Sequence, residues 1–120
     1  MAKSIIQEKS YIFALEVIKT YKELKGMYHE YDLFRQFLRA GTSIGANAEE
    51  ASAAQSRKDF LSKLYISFKE ARETLYWIRL LRDSSYLTSE QSKKLSAQCE
   101  ELIRLLSSIT KTTSESMKKS

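Results

Sequence analysis

RKDFLSKLYISFKEARETLYWIRLLRD, residues 57–83, is the stretch that decides the fold. Within it Leu61, Leu64, Phe68, Ala71, Leu75 and Ile78 recur at spacings of 3, 4, 3, 4 and 3. That alternation holds apolar side chains on one stripe of an α-helix and is the pattern of a bundle seam. Ser56-Arg57-Lys58-Asp59 precedes it and has the outline of a capping box, so the helix is expected over 57–83. Downstream, Thr88-Ser89-Glu90-Gln91 is a proper capping box, followed by a second seam of Leu95, Cys99, Leu102, Leu106 and Ile109. From Thr112 the chain is rich in Ser and Lys, and a flexible tail is expected over 112–120.

Upstream, Leu33, Phe34, Phe37, Leu38, Gly41, Ile44, Gly45, Ala48 and Ala51 form an apolar arc on a helix expected over about 32–54. A first helix is expected over about 5–25. Tyr11, Leu15, Ile18 and Tyr21 share its apolar side, widened by Val17 and Leu24, and Gly26 follows Lys22 and Lys25 as a stop signal. Four helices of similar length on short links predict an all-α protein, an antiparallel up-down four-helix bundle. Residues 1–120 are read as one domain with its core over about 5–111.

Composition agrees. Pro is absent and Gly occurs three times, too few for the turns of a sandwich or barrel. The single Cys99 cannot form an internal disulfide. No apolar run has the length of a signal peptide or a membrane span, which points to the cytoplasm. The net charge of +5 is uneven: residues 1–54 balance seven basic against seven acidic side chains, whereas residues 55–120 carry thirteen against eight. A basic excess makes a polyanion a plausible partner.

Two further faces of the third helix are patterned. Lys58, Tyr65, Lys69, Arg72, Tyr76 and Arg79 form a stripe uninterrupted by acid, suited to phosphates and to stacking on bases; the alternative is a solvated basic face. Opposite the seam lie Ile66, Glu73, Trp77 and Leu80 with Glu70 beside them. They are read as an oligomer interface, or else as a wedge inside the chain's own bundle. On the second helix, eleven of the fifteen residues Ala40–Ala54 are Ala, Gly, Ser or Thr. Gly41 and Gly45 each cost about 1 kcal/mol relative to Ala in a helix interior, so close packing is expected to explain them. Gln36, Ala40, Ser43, Asn47, Glu50 and Ala54 form a small polar stripe there. Asn47 and Glu50 need partners, for which Lys63, Arg72 or another subunit's Arg are candidates; a ligand groove is the alternative. Ser43, Asn47 and Glu50 join the interface set.

Catalytic patterns are missing. His29 is the only histidine and falls in a loop, so the carboxylate–histidine sets of di-iron bundles cannot form. There is no zinc spacing and no phosphate-binding glycine loop, and Cys99 sits on a core seam. The expectation is a non-enzyme without metal or cofactor.

Three stretches carry a resemblance: Arg39-Ala-Gly-Thr-Ser-Ile-Gly-Ala-Asn47-Ala-Glu-Glu-Ala51, Ser56-Arg-Lys-Asp-Phe60-Leu-Ser-Lys63, and Phe68-Lys-Glu-Ala-Arg-Glu-Thr-Leu-Tyr-Trp77-Ile-Arg-Leu-Leu81. In order and spacing they resemble the bacterial four-helix-bundle family encoded in intervening sequences of 23S ribosomal RNA genes, also described as ribosomal-protein-like. The resemblance spans roughly residues 10–110. Arg39, Ser43, Asn47 and Glu50, with Lys63, Glu70, Glu73 and Trp77, match the family's recurrent positions. A relative, the accessory variability protein of diversity-generating retroelements, implies a pentameric ring that works with a reverse transcriptase and its RNA. The resulting expectation is a homo-oligomeric RNA-binding or ribonucleoprotein accessory protein, against the alternative of a scaffold that binds no nucleic acid.

Overall fold

The computed structural model describes residues 4–119 and contains four α-helices: α1 (Ile5–Met27), α2 (Tyr31–Ser52), α3 (Arg57–Asp83) and α4 (Ser89–Lys119). Each start has a side-chain acceptor for orphan backbone N–H groups. Ser4 and Gln7 form a reciprocal capping box on α1. Glu30 accepts from the Leu33 N–H at 3.4 Å, and Ser56 from the Asp59 N–H at 3.0 Å. Thr88 and Gln91 close the expected box, with the Gln91 N–H donating to Thr88 Oγ1 at 3.1 Å and the Thr88 N–H to Gln91 Oε1 at 2.8 Å. Helix α3 stops without glycine. Ser85 takes a left-handed φ of 68°, and the Tyr86 and Leu87 N–H groups turn back onto the Leu81 carbonyl at 2.9 and 3.1 Å.

The helices form a cycle: α1 packs on α2 and α4, α3 packs on α2 and α4, and the diagonal pairs do not meet. Cross-helix pairs fix the directions. Lys9 pairs with Glu101 and Glu16 with Lys94, while Glu50 pairs with Lys63 and Arg39 with Glu70. As one number rises the other falls, so both pairs of neighbours run antiparallel. The body measures 53 × 24 × 22 Å.

The core differs from the expected one on α1. Its buried residues are Ile6, Ser10, Phe13, Val17, Thr20 and Leu24. Tyr11 and Leu15, expected inside, are 62% and 52% exposed, and Ile18 is exposed as well. The reason lies in α2. A Cβ on Gly41 would stand 2.8 Å from both Val17 methyl carbons, and one on Gly45 would stand 3.3 Å from Ser10 Oγ. Helix α1 therefore presents its slimmer side, where small residues admit the closest approach. The buried hydroxyls bond to their own helix, Ser10 to the Gln7 carbonyl and Thr20 to the Glu16 carbonyl.

Helix α3 is also turned, by about 60° at 100° per residue. Leu64, Ala71 and Ile78 are buried as expected, joined by Ser67, Thr74 and Leu81. Leu61, Phe68 and Leu75 are only half-buried. Ser67 fits because its hydroxyl donates across to the Ile44 carbonyl at 2.8 Å, and Thr74 because its hydroxyl donates to the Glu70 carbonyl at 2.7 Å. On α4, Leu95, Cys99, Leu102 and Leu106 are buried, and Cys99 donates its S–H to the Ala71 carbonyl at 3.2 Å. Burial pushes the Cys99 thiol up to about 12. The expected frayed tail is instead helix as far as Lys119. No Gly or Pro interrupts it, and Ser116 Oγ accepts from Arg57 Nη2 at 2.5 Å at the start of α3. Ser120 lies outside the described residues.

Candidate nucleic-acid interface

The turn of α3 places the basic stripe outward. Lys58, Tyr65, Lys69, Arg72, Tyr76 and Arg79 are all exposed. Among the described residues, Lys58, Lys69, Arg72 and Arg79 form no salt bridge and no side-chain hydrogen bond. Arg79 contributes only a distant pull on Asp83, whose carboxyl is held below its usual range chiefly by Arg82. Tyr76 meets Trp77 edge-on at 5.3 Å between ring centroids, leaving the tyrosine half-exposed.

The stripe borders a groove of about 510 Å³ between α3 and α4, lined by Arg72, Leu75, Tyr76 and Arg79 from one wall and Glu100, Ile103 and Arg104 from the other. Three guanidiniums thus face one carboxylate around an apolar floor. Arg104, like the stripe cations, is exposed and without a salt bridge among the described residues. Sequence reasoning missed Arg104, Ile103 and Glu100, because only the antiparallel register of α4 on α3 brings them to the stripe. A second, shallower depression of about 310 Å³ near the start of α3 is lined by Lys58, Tyr65 and Lys69 with Leu61, Ser62 and Ile66. Unpaired cations beside exposed aromatic rings can hold phosphates and stack bases.

The residues expected at an oligomer interface divide into two groups. Ile66 and Leu80 are 42% and 36% exposed, with no described segment of this chain covering them. The remainder build the α2–α3 seam. Arg39 donates from Nη1 to Glu70 Oε2 at 2.8 Å and from Nη2 to Glu73, and the Trp77 indole N–H donates to Glu73 Oε2 at 2.9 Å. Trp77 packs its ring against the core. Glu50 accepts from Lys63 at 2.9 Å, one of the anticipated donors. Ser43 donates to the Arg39 carbonyl at 2.6 Å and Asn47 to the Ser43 carbonyl at 2.8 Å, so both bond to their own helix. The Trp77 N–H holds the Glu73 carboxyl below its usual range, and Arg39 adds to this against partial burial. Burial alone would lower the Arg39 guanidinium, but its bonds to Glu73 and Glu70 outweigh that and raise it. Arg39 as the shared partner of Glu70 and Glu73 escaped the sequence reading, although the Glu50–Lys63 pairing implies the register that sets Arg39 beside them.

Among the described residues no group of three or more His, Cys, Asp or Glu side chains is placed to hold a metal ion, and no helix is long and apolar enough to cross a membrane. His29 lies in the α1–α2 link, exposed, with Nδ1 3.4 Å from the Tyr31 hydroxyl.

Comparison with known proteins places this architecture. A crystal structure of a protein of unknown function from the S23 ribosomal protein family of Bacteroides thetaiotaomicron superimposes with a TM-score of 0.87. It shares 45% sequence identity, over 89% of this chain and 99% of that one. No curated protein matches the chain. Residues 2–108 match the family described as 23S rRNA-intervening sequence protein. With nearly the whole bundle inside that match, the chain belongs to the 23S rRNA-intervening sequence protein family.

Proposed function

We propose that this protein is a non-catalytic, homo-oligomeric RNA-binding or ribonucleoprotein accessory protein of the bacterial cytoplasm. The observation that carries the reading is the row of exposed, unpaired cations on α3, continued across the α3–α4 groove by Arg104. Lys69, Arg72, Arg79 and Arg104 bind phosphates, while Tyr65 and Tyr76 offer ring faces to any base. Such a surface tracks backbone rather than sequence. The family's tie to ribosomal RNA genes supports RNA over DNA. Copies arranged in a ring, with a pentamer implied by the resemblance, multiply a weak basic face without new contacts. A ribonucleoprotein or a reverse transcriptase is the kind of partner that such a ring would serve.

The test is fluorescence anisotropy with single-stranded and structured RNA. Reversal of Arg72, Arg79 and Arg104 to Glu should weaken binding at least about tenfold, a factor that corresponds to about 1.4 kcal/mol, with helicity and oligomer mass unchanged. Removing Lys118 and Lys119 should do much less. If the tail deletion alone abolishes binding, the site is misplaced; if wild type does not bind at low salt, RNA binding is refuted. A second reading, a scaffold that binds no nucleic acid, is favoured by one observation, the uncovered apolar residues Ile66 and Leu80.

A further inference from the structure

Glu100 stands alone by its charge in the groove between α3 and α4. Along α3 the groove is flanked by two further depressions. Lys58 and Lys69 line one of them; Arg82 and Lys93 line the other, of about 480 Å³. Arg82 is tied to Asp83, whereas Lys93 forms no salt bridge among the described residues. Among the described residues that line the three, Glu100 is the one carboxylate. It is exposed, Arg104 follows it at i+4, and Arg72 and Arg79 line the opposite wall. Even so, it forms no salt bridge and no side-chain hydrogen bond among the described residues. A carboxylate repels a phosphate that passes close to it. Its two oxygens accept hydrogen bonds and donate none. What it can hold is therefore a pair of N–H donors.

We infer that this groove receives an unpaired guanine of a single-stranded RNA, and that Glu100 reads the base. The inference rests on the RNA-binding reading above and names the base that the groove selects. In a single strand the Watson–Crick edges are open to protein groups. On guanine that edge carries N1–H and N2–H side by side, two donors for two carboxylate oxygens. Adenine and cytosine set a ring-nitrogen acceptor beside their amino group, and uracil has one N–H between two carbonyls. Each of those edges turns an acceptor toward a carboxylate oxygen, and guanine alone among the four does not. In a duplex the same donors are already paired.

The rest of the groove suits a base. Tyr76 meets Trp77 edge-on and is itself half-exposed, which leaves its ring for stacking. Leu75 and Ile103 supply apolar contact, and the volume of about 510 Å³ falls within the range of small-ligand pockets. A strand fits better than a free nucleotide, because the cations continue past both ends of the groove.

The test compares uridine strands that differ at one central position, read by fluorescence anisotropy at low salt. A central guanosine should bind about tenfold tighter than a central adenosine, within what a two-bond base contact discriminates. Inosine lacks the N2 amino group and keeps one of the two bonds, so it should fall between them. Glu100→Ala should bring the guanosine-to-adenosine ratio to about one, with circular dichroism checking that the helices persist. Equal affinity of the wild type for all strands overturns the inference and leaves RNA binding standing. So does a Glu100→Ala variant that binds every strand tighter with the ratio preserved, for then Glu100 is only a repulsive charge. Guanosine monophosphate binding as tightly as the guanosine strand overturns the choice of a strand as ligand. If no strand binds, the RNA-binding reading fails as well.

Discussion

Helix α1 is held on its two sides by unlike contacts. Against α2 the backbones come close enough that Gly41 leaves no room for a Cβ beside Val17, and Ser10 rests near Gly45. Against α4 the ties are long side chains: Lys9 to Glu101 at 2.9 Å, Lys94 to Glu16 at 3.0 Å, and Gln91 to Glu23 at 3.2 Å. On α4 between these pairs, Gln98 Oε1 is buried without a hydrogen-bond partner among the described residues. The first contact is shape-determined, and dispersion there depends on tenths of an ångström. The second is a polar lacing, much of it open to water. The difference teaches that close fit against α2, rather than the count of apolar side chains, chooses which side of α1 turns inward.

This contrast can be broken at graded cost. Phe13→Ala, at a fully buried position on the inward side, should destabilise by about 3–5 kcal/mol in urea unfolding. Leu15→Ala on the outward side should cost far less in the isolated chain, and equal losses would mean that α1 is turned the other way. Gly41→Ala should come next. Crowding Val17 costs about 1–3 kcal/mol, against about 1 kcal/mol returned by helix propensity. Gly45→Ala, with its nearest contact at 3.3 Å, should be close to neutral. A harmless Gly41→Ala would deny the close approach.

The α2–α3 seam sharpens the comparison with a polar contact that is partly buried. A carboxyl lowered on folding, as Glu73 is, contributes stability above its unfolded pKa and loses it as pH falls through the depressed folded value. Glu73→Gln should therefore lower Tm at neutral pH, and the gap from wild type should close in acid below both values. A gap independent of pH would show that the carboxylate's charge is not what matters. A small effect is also expected in the α1–α4 lacing. Lys9→Ala should cost under about 1 kcal/mol, as exposed pairs do, and a larger loss would make that seam structural.

Much of the fold is legible because its signals are local. Ser56 and Thr88 mark the starts of α3 and α4; the apolar period of α3 survives a modest rotation, and α4 buries Leu95, Cys99, Leu102 and Leu106 as its period predicts. What escapes is information that exists only across helices. Ser10, Thr20, Ser67 and Thr74 look like surface residues until their hydroxyls are seen bonded to carbonyls, and the exposed Ile12 and Leu15 look like core. The candidate site divides the same way. The α3 stripe is readable from spacing alone, whereas Arg104 and Glu100 enter only through the register of α4.

The most direct test of the RNA-binding reading is the salt dependence of wild-type affinity for a single-stranded RNA, read by anisotropy. With about 0.7 counterion released per phosphate on a single strand, the three groove arginines predict a slope of about −2 in log affinity against log salt. Engagement of several subunits steepens it. A slope near zero, or no binding at low salt, contradicts the assignment of the α3–α4 groove to RNA.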